Sequence, residues 1–220
     1  QTAVNKAHFP EMQGAQIQIA KFTEGVQEAS AAEGTLSSLY ISQIEKADFP
    51  VLIMDLMYVE NALKSVMPDF IFLGTLGIDV IRNYTVLLDY QASEITLDPE
   101  RGFEAQETIS MSCDKLPIIQ VEAAGRTCNF VLDTGASFCL LGQGFQDDPQ
   151  LLPSPETPNI VTVPVVRVGA REYKNIAATV SNISAIQKKV PVEGVIGYQV
   201  LSPQRSILDF KNNQLLLEKI

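Results

Sequence analysis

A short polar segment between two apolar runs contains the residues best suited to chemistry. Asp133, Thr134 and Gly135 follow the apolar run Phe130-Val131-Leu132 and precede the apolar run Cys139-Leu140-Leu141. A carboxylate is costly at the end of a buried strand, so it usually serves chemistry or a hydrogen-bonded turn. Glycine permits a tight turn that brings backbone amides near the carboxylate, and the threonine hydroxyl can donate and accept hydrogen bonds. The segment therefore predicts either an acid-base site or a structural turn.

The composition argues against several other chemistries. The formal net charge is −10 and the basic residues cluster only at Lys188-Lys189, so a nucleic-acid partner is not expected. His8 is the only histidine, and a Ser-His-Asp or Cys-His arrangement would depend on it alone. No apolar run reaches the length of a membrane-spanning helix. Neither a metal nor an organic cofactor is implied.

The cysteines point the same way. They lack CxxC spacing and histidine companions, which argues against a zinc site or a redox pair. Small buried hydrophobes in strands are the expected role, although an odd number leaves at least one thiol free or intermolecular. The cysteines are Cys113, Cys128 and Cys139.

Strand patterns dominate the elements that must position the Asp133 segment. Most of the chain reads as short β-branched or alternating runs bounded by Gly, Asn, Asp or Pro, which predicts a mainly β protein with short helices. The clearest helical pattern covers Leu56–Asp69, with apolar residues at a spacing of three or four and Pro68 near its end.

Two segments of the chain resemble each other. Gly77–Leu97 aligns without gaps on Gly197–Leu217, 120 residues later, and each reads as a glycine, a helical turn and a β-hairpin. This pattern predicts two copies of one unit. We place the N-terminal lobe at residues 1–100 and the C-terminal lobe, with the Asp133 segment, at 101–220.

The Asp133-Thr134-Gly135 segment, followed by Ala136-Ser137, resembles the active-site loop of retropepsin-like and pepsin-like aspartic proteases. In that family a later segment of two apolar residues and a glycine starts a short helix and supports the loop from behind. Val195-Ile196-Gly197 fits this role in the second lobe, and Thr75-Leu76-Gly77 fits it in the first. The resemblance covers nearly the whole chain and implies a two-lobed β-barrel fold of the bacterial type.

The resemblance also implies a function. Aspartic proteases hydrolyse peptide bonds with a water activated between two carboxylates that share one proton, and Asp133 would be one of them. Thr134 would then contact the equivalent loop of a partner lobe. The substrate would be a polypeptide bound in an extended conformation, although its contact residues are not identifiable. Composition leaves the compartment open, and the resemblance alone favours an exported bacterial protein.

The first copy departs from the family pattern because it contains no Asp-Thr-Gly. We expect "QTAVNKAHF" to continue such a loop, with Gln1 opposite Ser137, so the first lobe would lack its first strands and catalytic loop. Ala15–Ile41 is predicted to form a flap, a β-hairpin with Gly25 and Gly34 in which small residues occupy the tip.

Three arrangements follow for the second aspartate. A preceding segment or a separate chain supplies it, two copies pair their Asp133 residues, or the first copy has lost it and the chain is an inactive peptide-binding module. We favour the first, because the repeat already supplies both lobes. The other acids, among them Asp79, Asp89, Asp147, Asp148 and Asp209, are expected to fix turns, helix starts and loops.

Overall fold

The computed structural model describes residues 1–12, 15–18, 30–41, 43–100, 102–155, 157 and 159–219. It contains two compact units, Gln1–Ile81 and Arg82–Ile220. No helix within the described ranges is long and apolar enough to cross a membrane.

The first unit is built on one five-stranded sheet with the order β2-β3-β4-β1-β5. Its strands are β1 Ala3–Asn5, β2 Ala15–Gln18, β3 Ser30–Ile41, β4 Ile44–Met54 and β5 Gly74–Thr75, and its helices are α1 Met57–Lys64 and α2 Ile78–Ile81. Along β4, buried Val51 and Ile53 alternate with the more exposed Leu52 and Met54, which is the period of a strand with one buried face. Val4 and Ala32 complete this small core.

The observed pairing agrees with the predicted hairpin at residues 15–41 in part. Gly34, expected near a turn, lies inside β3 opposite Val51, and β3 forms its long hairpin with β4. A Cβ atom at Gly34 would lie 2.6 Å from Ile53 Cδ1, so this glycine permits close packing rather than a turn. β2 pairs with the start of β3. Gly25 lies outside the described residues, and the role of the segment as a flap stays a prediction.

Helix α1 confirms the predicted helix in part. It covers Met57–Lys64, shorter than predicted, and Val66 of the expected apolar face is 81% exposed. The buried residue of α1 is instead Glu60, whose side chain is 1% exposed.

Four groups from different parts of the first unit surround the Glu60 carboxylate. Lys64 Nζ lies 2.6 Å from Oε1 and His8 Nε2 lies 2.5 Å from Oε2. Asn5 Nδ2 and the Phe72 amide also donate to Oε2. The hydrogen bond from Lys64, followed by that from His8, lowers the pKa of Glu60 from 4.5 to about 2. Desolvation opposes this shift, so the ionised carboxylate persists because it is so well paired.

We expect this cluster to make the first unit sensitive to acid. Because the pKa of Glu60 is lower in the folded protein than in the unfolded chain, its contribution is complete above about pH 4.5 and is lost as the pH falls towards 2. Denaturant unfolding at several pH values should show a fall in the unfolding free energy across this range.

Glu60→Gln should flatten that fall, because glutamine cannot ionise, whereas the exposed Glu11→Gln should retain the wild-type pH dependence. Equal pH dependence in wild type and Glu60→Gln would contradict the assignment.

The second unit contains a closed six-stranded barrel. Around it the order is β9, β10, β15, β11, β14 and β13, and pairing of β13 with β9 closes the ring. The strands of this unit are β6 Thr85–Asp89, β7 Glu94–Leu97, β8 Glu107–Ser112, β9 Ile118–Ala123, β10 Arg126–Leu132, β11 Cys139–Leu141, β12 Leu152–Pro153, β13 Ile160–Val168, β14 Arg171–Val180, β15 Gly194–Ile196, β16 Ser206–Asp209 and β17 Gln214–Leu217, with helices α3 Ser184–Gln187 and α4 Tyr198–Leu201. The predicted mainly β architecture, with a barrel and short helices, is confirmed.

Two hairpins with the same register extend the sheet away from the barrel. In the first, Asp89 pairs with Glu94, and in the second Asp209 pairs with Gln214, 120 residues later. Strands β6 and β16 pair antiparallel, with Leu87 opposite its own counterpart Ile207. A local two-fold axis therefore relates the two hairpins within this unit.

The pairing of β6 with β16 places the first hairpin in the second compact unit. The division into units thus falls at residues 81 and 82, whereas the sequence predicts a lobe boundary near residue 100. The difference arises because strand pairing, which joins hairpins distant in sequence, outweighs chain continuity here. The two-lobe assignment itself stays a prediction.

Candidate functional site

The Asp133 loop begins where β10 leaves the barrel. The Asp133 amide donates to the carbonyl of Ile196 at 2.9 Å, which extends the parallel pairing of β10 with β15 by one residue. The Ala136 amide then donates back to the carbonyl of Asp133 at 3.0 Å, closing a tight turn. The buried side chains of β10 hold one end of the loop in the core, so the turn has a rigid base.

Inside the turn, the Gly135 amide donates to Asp133 Oδ1 at 2.9 Å. This bond orients the carboxylate and satisfies one of its oxygen atoms. The amide thus lies near the carboxylate, as expected for glycine at this position, and Gly135 reaches this geometry without a positive φ. A Cβ atom there would lie 3.3 Å from Asp133 Oδ1, so the missing side chain lets the amide approach the carboxylate.

Gly197 supports the loop from behind, as the segment Val195-Ile196-Gly197 was predicted to do. A Cβ atom at Gly197 would lie 1.9 Å from the carbonyl oxygen of Asp133 and 2.9 Å from that of Ala136. Helix α4 follows at once, and the Tyr198 amide donates to the Ala136 carbonyl at 3.0 Å. Since Val200 and Leu201 are fully buried, α4 anchors this contact in the core.

The three catalytic candidates are exposed. Asp133, Thr134 and Gly135 all lie at the surface of the described chain. The reason is that the loop stands outside the barrel, while only β10 and α4 beneath it are buried. Among the described residues, no acidic side chain forms a hydrogen bond with Asp133. The carboxylate of Asp133 accepts a hydrogen bond from the Gly135 amide.

Tyr90 contacts the loop from the first hairpin of the same unit. Its hydroxyl donates to the Thr134 carbonyl at 3.4 Å, and its ring packs edge-on against Tyr198 at 5.3 Å between centroids. Burial raises the pKa of the Tyr90 hydroxyl, and the charge of Asp133 raises it further. The phenol therefore remains protonated and keeps its donor role. Sequence analysis did not predict that Tyr90 contacts the loop. The one signal in the sequence was that Tyr90 directly follows Asp89 in the hairpin.

Two further side chains hold equivalent backbone positions, and sequence analysis had assigned a role to Asp79 but none to Gln199. Gln199 Oε1 accepts from the Cys139 amide at 3.0 Å at the start of β11. In the first unit, Asp79 Oδ1 accepts from the Thr2 amide at 2.9 Å and from the Thr2 hydroxyl at 2.8 Å. Both side chains lie two residues after the glycine that precedes a short helix, which was the available signal. Asp79, expected to fix a helix start, ties the residue before β1 to α2, and its role at the helix start stays a prediction.

These contacts correct the register predicted for the first residues. In the second unit Leu140 pairs with Val195. In the first unit Ala3 pairs with Thr75, which lies 120 positions before Val195 and is its equivalent. Thr2 is therefore equivalent to Cys139, and Gln1 is equivalent to Phe138 rather than to Ser137. The prediction was one residue out because the polar pattern of this short strand does not specify its register.

The remaining acidic residues have the structural roles expected of them. Asp89 accepts from the Ala92 amide and Asp209 from the Asn212 amide, at matching turns. Asp148 accepts from the Gln150 amide and pairs with Arg126. Asp147 is exposed.

Thiol and metal chemistry find no support in the described ranges. Cys128 and Cys139 are buried, Cys113 is partly buried, and all three are free thiols. Burial raises the pKa of Cys139 to about 12, so its thiol is not poised for reaction. No cluster of three or more potential metal ligands occurs in the described ranges.

Comparison with known proteins gives likenesses to solved structures alone. No protein-family model matches the sequence, and no curated protein matches it. A solved retropepsin-like aspartic protease from Rickettsia conorii is 20% identical and has a TM-score of 0.36, covering 53% of this chain and 94% of that chain.

The contact between Gly197 and the loop can be tested by a single methyl group. Gly197→Ala should destabilise the second unit by about 3 kcal/mol, because the clash is with backbone that cannot move alone. Gly144→Ala is the matched control, since a Cβ atom there meets nothing within 4 Å, and should change stability by less than about 0.5 kcal/mol. Denaturant unfolding measures both, and equal stabilities would contradict the proposed packing.

Proposed function

We propose that this protein is an aspartic-type endopeptidase and that Asp133 is one of its two catalytic carboxylates. The observation that carries the proposal is the Asp133 loop itself. A carboxylate stands at the end of a buried barrel strand, one oxygen is oriented by the Gly135 amide, and the loop is supported by Gly197. The carboxylate is accessible, as a group that must meet water and substrate has to be.

In this mechanism Asp133 works with a second carboxylate a few ångströms away. Two carboxylates so close cannot both ionise easily, so together they hold one proton. The ionised member takes a proton from a bound water, which attacks the peptide carbonyl carbon, while the protonated member donates to the carbonyl oxygen. The carboxyl that took the proton from water then passes it to the peptide nitrogen, the C–N bond breaks and the amine leaves. The other carboxylate takes a proton back from a hydroxyl of the tetrahedral species, which becomes the product carboxylic acid. No covalent intermediate with the enzyme forms.

The second aspartate is proposed to come from outside residues 1–220. In the register of the first unit, Thr2 is the equivalent of Cys139, so the equivalent of Asp133 is not among the numbered residues. A preceding segment of a longer chain, or a separate chain, is the preferred source, and pairing of two copies through Asp133 is the alternative. The substrate class is a polypeptide in an extended conformation, which the predicted flap at residues 15–41 would cover.

Asp133→Asn should abolish cleavage of an unfolded protein substrate while leaving the fold intact. Asparagine keeps the Oδ1 acceptor for the Gly135 amide but cannot exchange a proton with water. Asp147→Asn, in an exposed loop, is the control and should cleave like wild type. The assay uses the chain together with the residues encoded before Gln1. Cleavage by Asp133→Asn at the wild-type rate would refute the role of Asp133.

Activity should be highest at acidic pH, because the shared proton is lost when both carboxylates ionise.

A peptide mimic with a hydroxyl at the scissile carbon should inhibit at least about 100-fold more strongly than the same peptide without the hydroxyl, because it imitates the tetrahedral species. Steady-state rates from pH 3 to 9 measure the pH dependence, and the same rates with increasing amounts of each peptide measure the two inhibition constants. Full activity at pH 9, together with equal potency of the two peptides, would count against this mechanism.

The second candidate function is a peptide-binding module without catalysis. It is favoured by the lack of an acidic hydrogen-bonding partner for Asp133 within the described residues. The sequence before Gln1 separates the candidates: an Asp-Thr-Gly or Asp-Ser-Gly there supports the enzyme. If it is absent, and neither monomer nor dimer cleaves a peptide that the chain binds, the module is the better description.

A further inference from the structure

Strand β7 forms one end of the large sheet in the second unit. Within the described part of the chain it pairs only with β6, and its other edge carries no strand. Its equivalent, β17, is paired on both sides, with β16 and with β8. The two hairpins are related by a local two-fold axis, but β8 pairs with the outer edge of β17 and no described strand pairs with the equivalent edge of β7.

Burial of equivalent side chains shows the consequence. Ile95 is 70% exposed, whereas its equivalent Leu215 is 0% exposed. Tyr90 is half-buried and its equivalent Phe210 is buried. A bare isoleucine in the middle of a strand is costly, and an uncovered strand edge is a site at which other strands add. The chain thus leaves Ile95 exposed, although the equivalent apolar residue of the second hairpin, Leu215, is covered.

A groove of about 370 Å³ lies at the turn end of this hairpin, next to the start of β7. It is lined by Leu88 and Asp89 of β6, by Tyr90 and Ser93 of the turn, by Glu94 and Ile95 of β7, and by Thr134 of the candidate catalytic loop. The groove is therefore bounded partly by the hairpin and partly by the loop.

The pairing of β8 with β17 indicates which kind of strand could pair with the equivalent edge of β7. In β8 the apolar residues Ile109 and Met111 are buried and the residues between them are exposed. The Met111 amide donates to the Asn213 carbonyl at 2.8 Å, and the Gln106 amide donates to the Leu217 carbonyl at 2.9 Å. The equivalent acceptors in the first hairpin are the carbonyls of Ser93, before β7, and Leu97, at its end.

We propose that the β7 edge binds an extended strand that is not part of residues 1–220. This strand runs antiparallel to β7, places two alternate apolar side chains over Ile95 and the groove, and carries polar side chains between them. Its amides donate to the Ser93 and Leu97 carbonyls. The mode is β-strand addition, in which main-chain hydrogen bonds supply affinity and alternate side chains supply specificity.

The inference does not depend on catalysis by Asp133. A strand in this groove would contact Thr134 and so would bear on the position of the loop, but its binding needs only the edge and the apolar face. The endopeptidase proposal and the strand-binding proposal can therefore fail separately.

The test uses a fluorescein-labelled peptide that copies residues 105–113 with Cys113→Ser. Binding to the full chain is followed by fluorescence anisotropy, and its position by amide hydrogen exchange. We expect saturable binding and slower exchange at Ile95 and Leu97. A control peptide in which aspartate replaces the residues corresponding to Ile109 and Met111 should not bind.

Two exposed apolar positions provide matched protein variants. Ile95→Asp should weaken binding by about tenfold or more, since it would bury an unpaired carboxylate under the peptide. Leu152→Asp, on another strand of the same unit and also exposed, should bind within about twofold of wild type. Asp133→Asn should bind the peptide like wild type even if it cleaves nothing.

Three outcomes would overturn the proposal. The peptide does not bind, it binds Ile95→Asp as well as wild type, or exchange slows at β17 because the peptide has replaced β8. Sedimentation velocity covers the remaining occupant: a dimer that Ile95→Asp dissociates would show that a second copy, not a separate strand, covers this edge.

Discussion

The approach of Gly197 to the carbonyl of Asp133 is the constraint on which the candidate site depends. At this point the start of α4 and the loop after β10 come closer than any side chain would permit. That contact lets the Tyr198 amide reach the Ala136 carbonyl, and so connects the loop to a helix whose other residues are buried. Rigidity of the loop thus derives from core packing, while its carboxylate stays at the surface.

The first unit uses the same device. A Cβ atom at Gly77 would lie 2.3 Å from the carbonyl carbon of Gln1, and the Gly77 amide donates to the Thr2 hydroxyl at 3.0 Å. The polar side chain two residues later then accepts from the strand that leaves the loop, Asp79 in one unit and Gln199 in the other. An acid and an amide serve equally because only a carbonyl-type oxygen is required to accept from a backbone amide.

The two prominent carboxylates of the chain illustrate opposite strategies. Glu60 is buried, and Lys64, His8, Asn5 and the Phe72 amide satisfy it, so its charge stabilises the fold rather than reacting. Asp133 has a backbone donor on one oxygen and is open to solvent. A group left accessible in this way can exchange protons with a ligand, and this difference, rather than the residue type, separates a structural acid from a candidate catalytic one.

Residue types and spacing alone determined the mainly β class, the turn at Asp133 to Gly135 and the matching hairpins, because each depends on local periodicity and turn chemistry. The support from Val195 to Gly197 was expected from the resemblance to a known family, not from periodicity. Only the tertiary structure decided that Gly34 lies within a strand, that Glu60 is buried and that Tyr90 reaches the loop, since these depend on contacts between segments far apart in the chain. It likewise decided that β6 pairs with β16 and that one edge of β7 has no partner strand among the described residues. Local patterns specify strands, whereas pairing between distant strands specifies which edges and side chains remain uncovered.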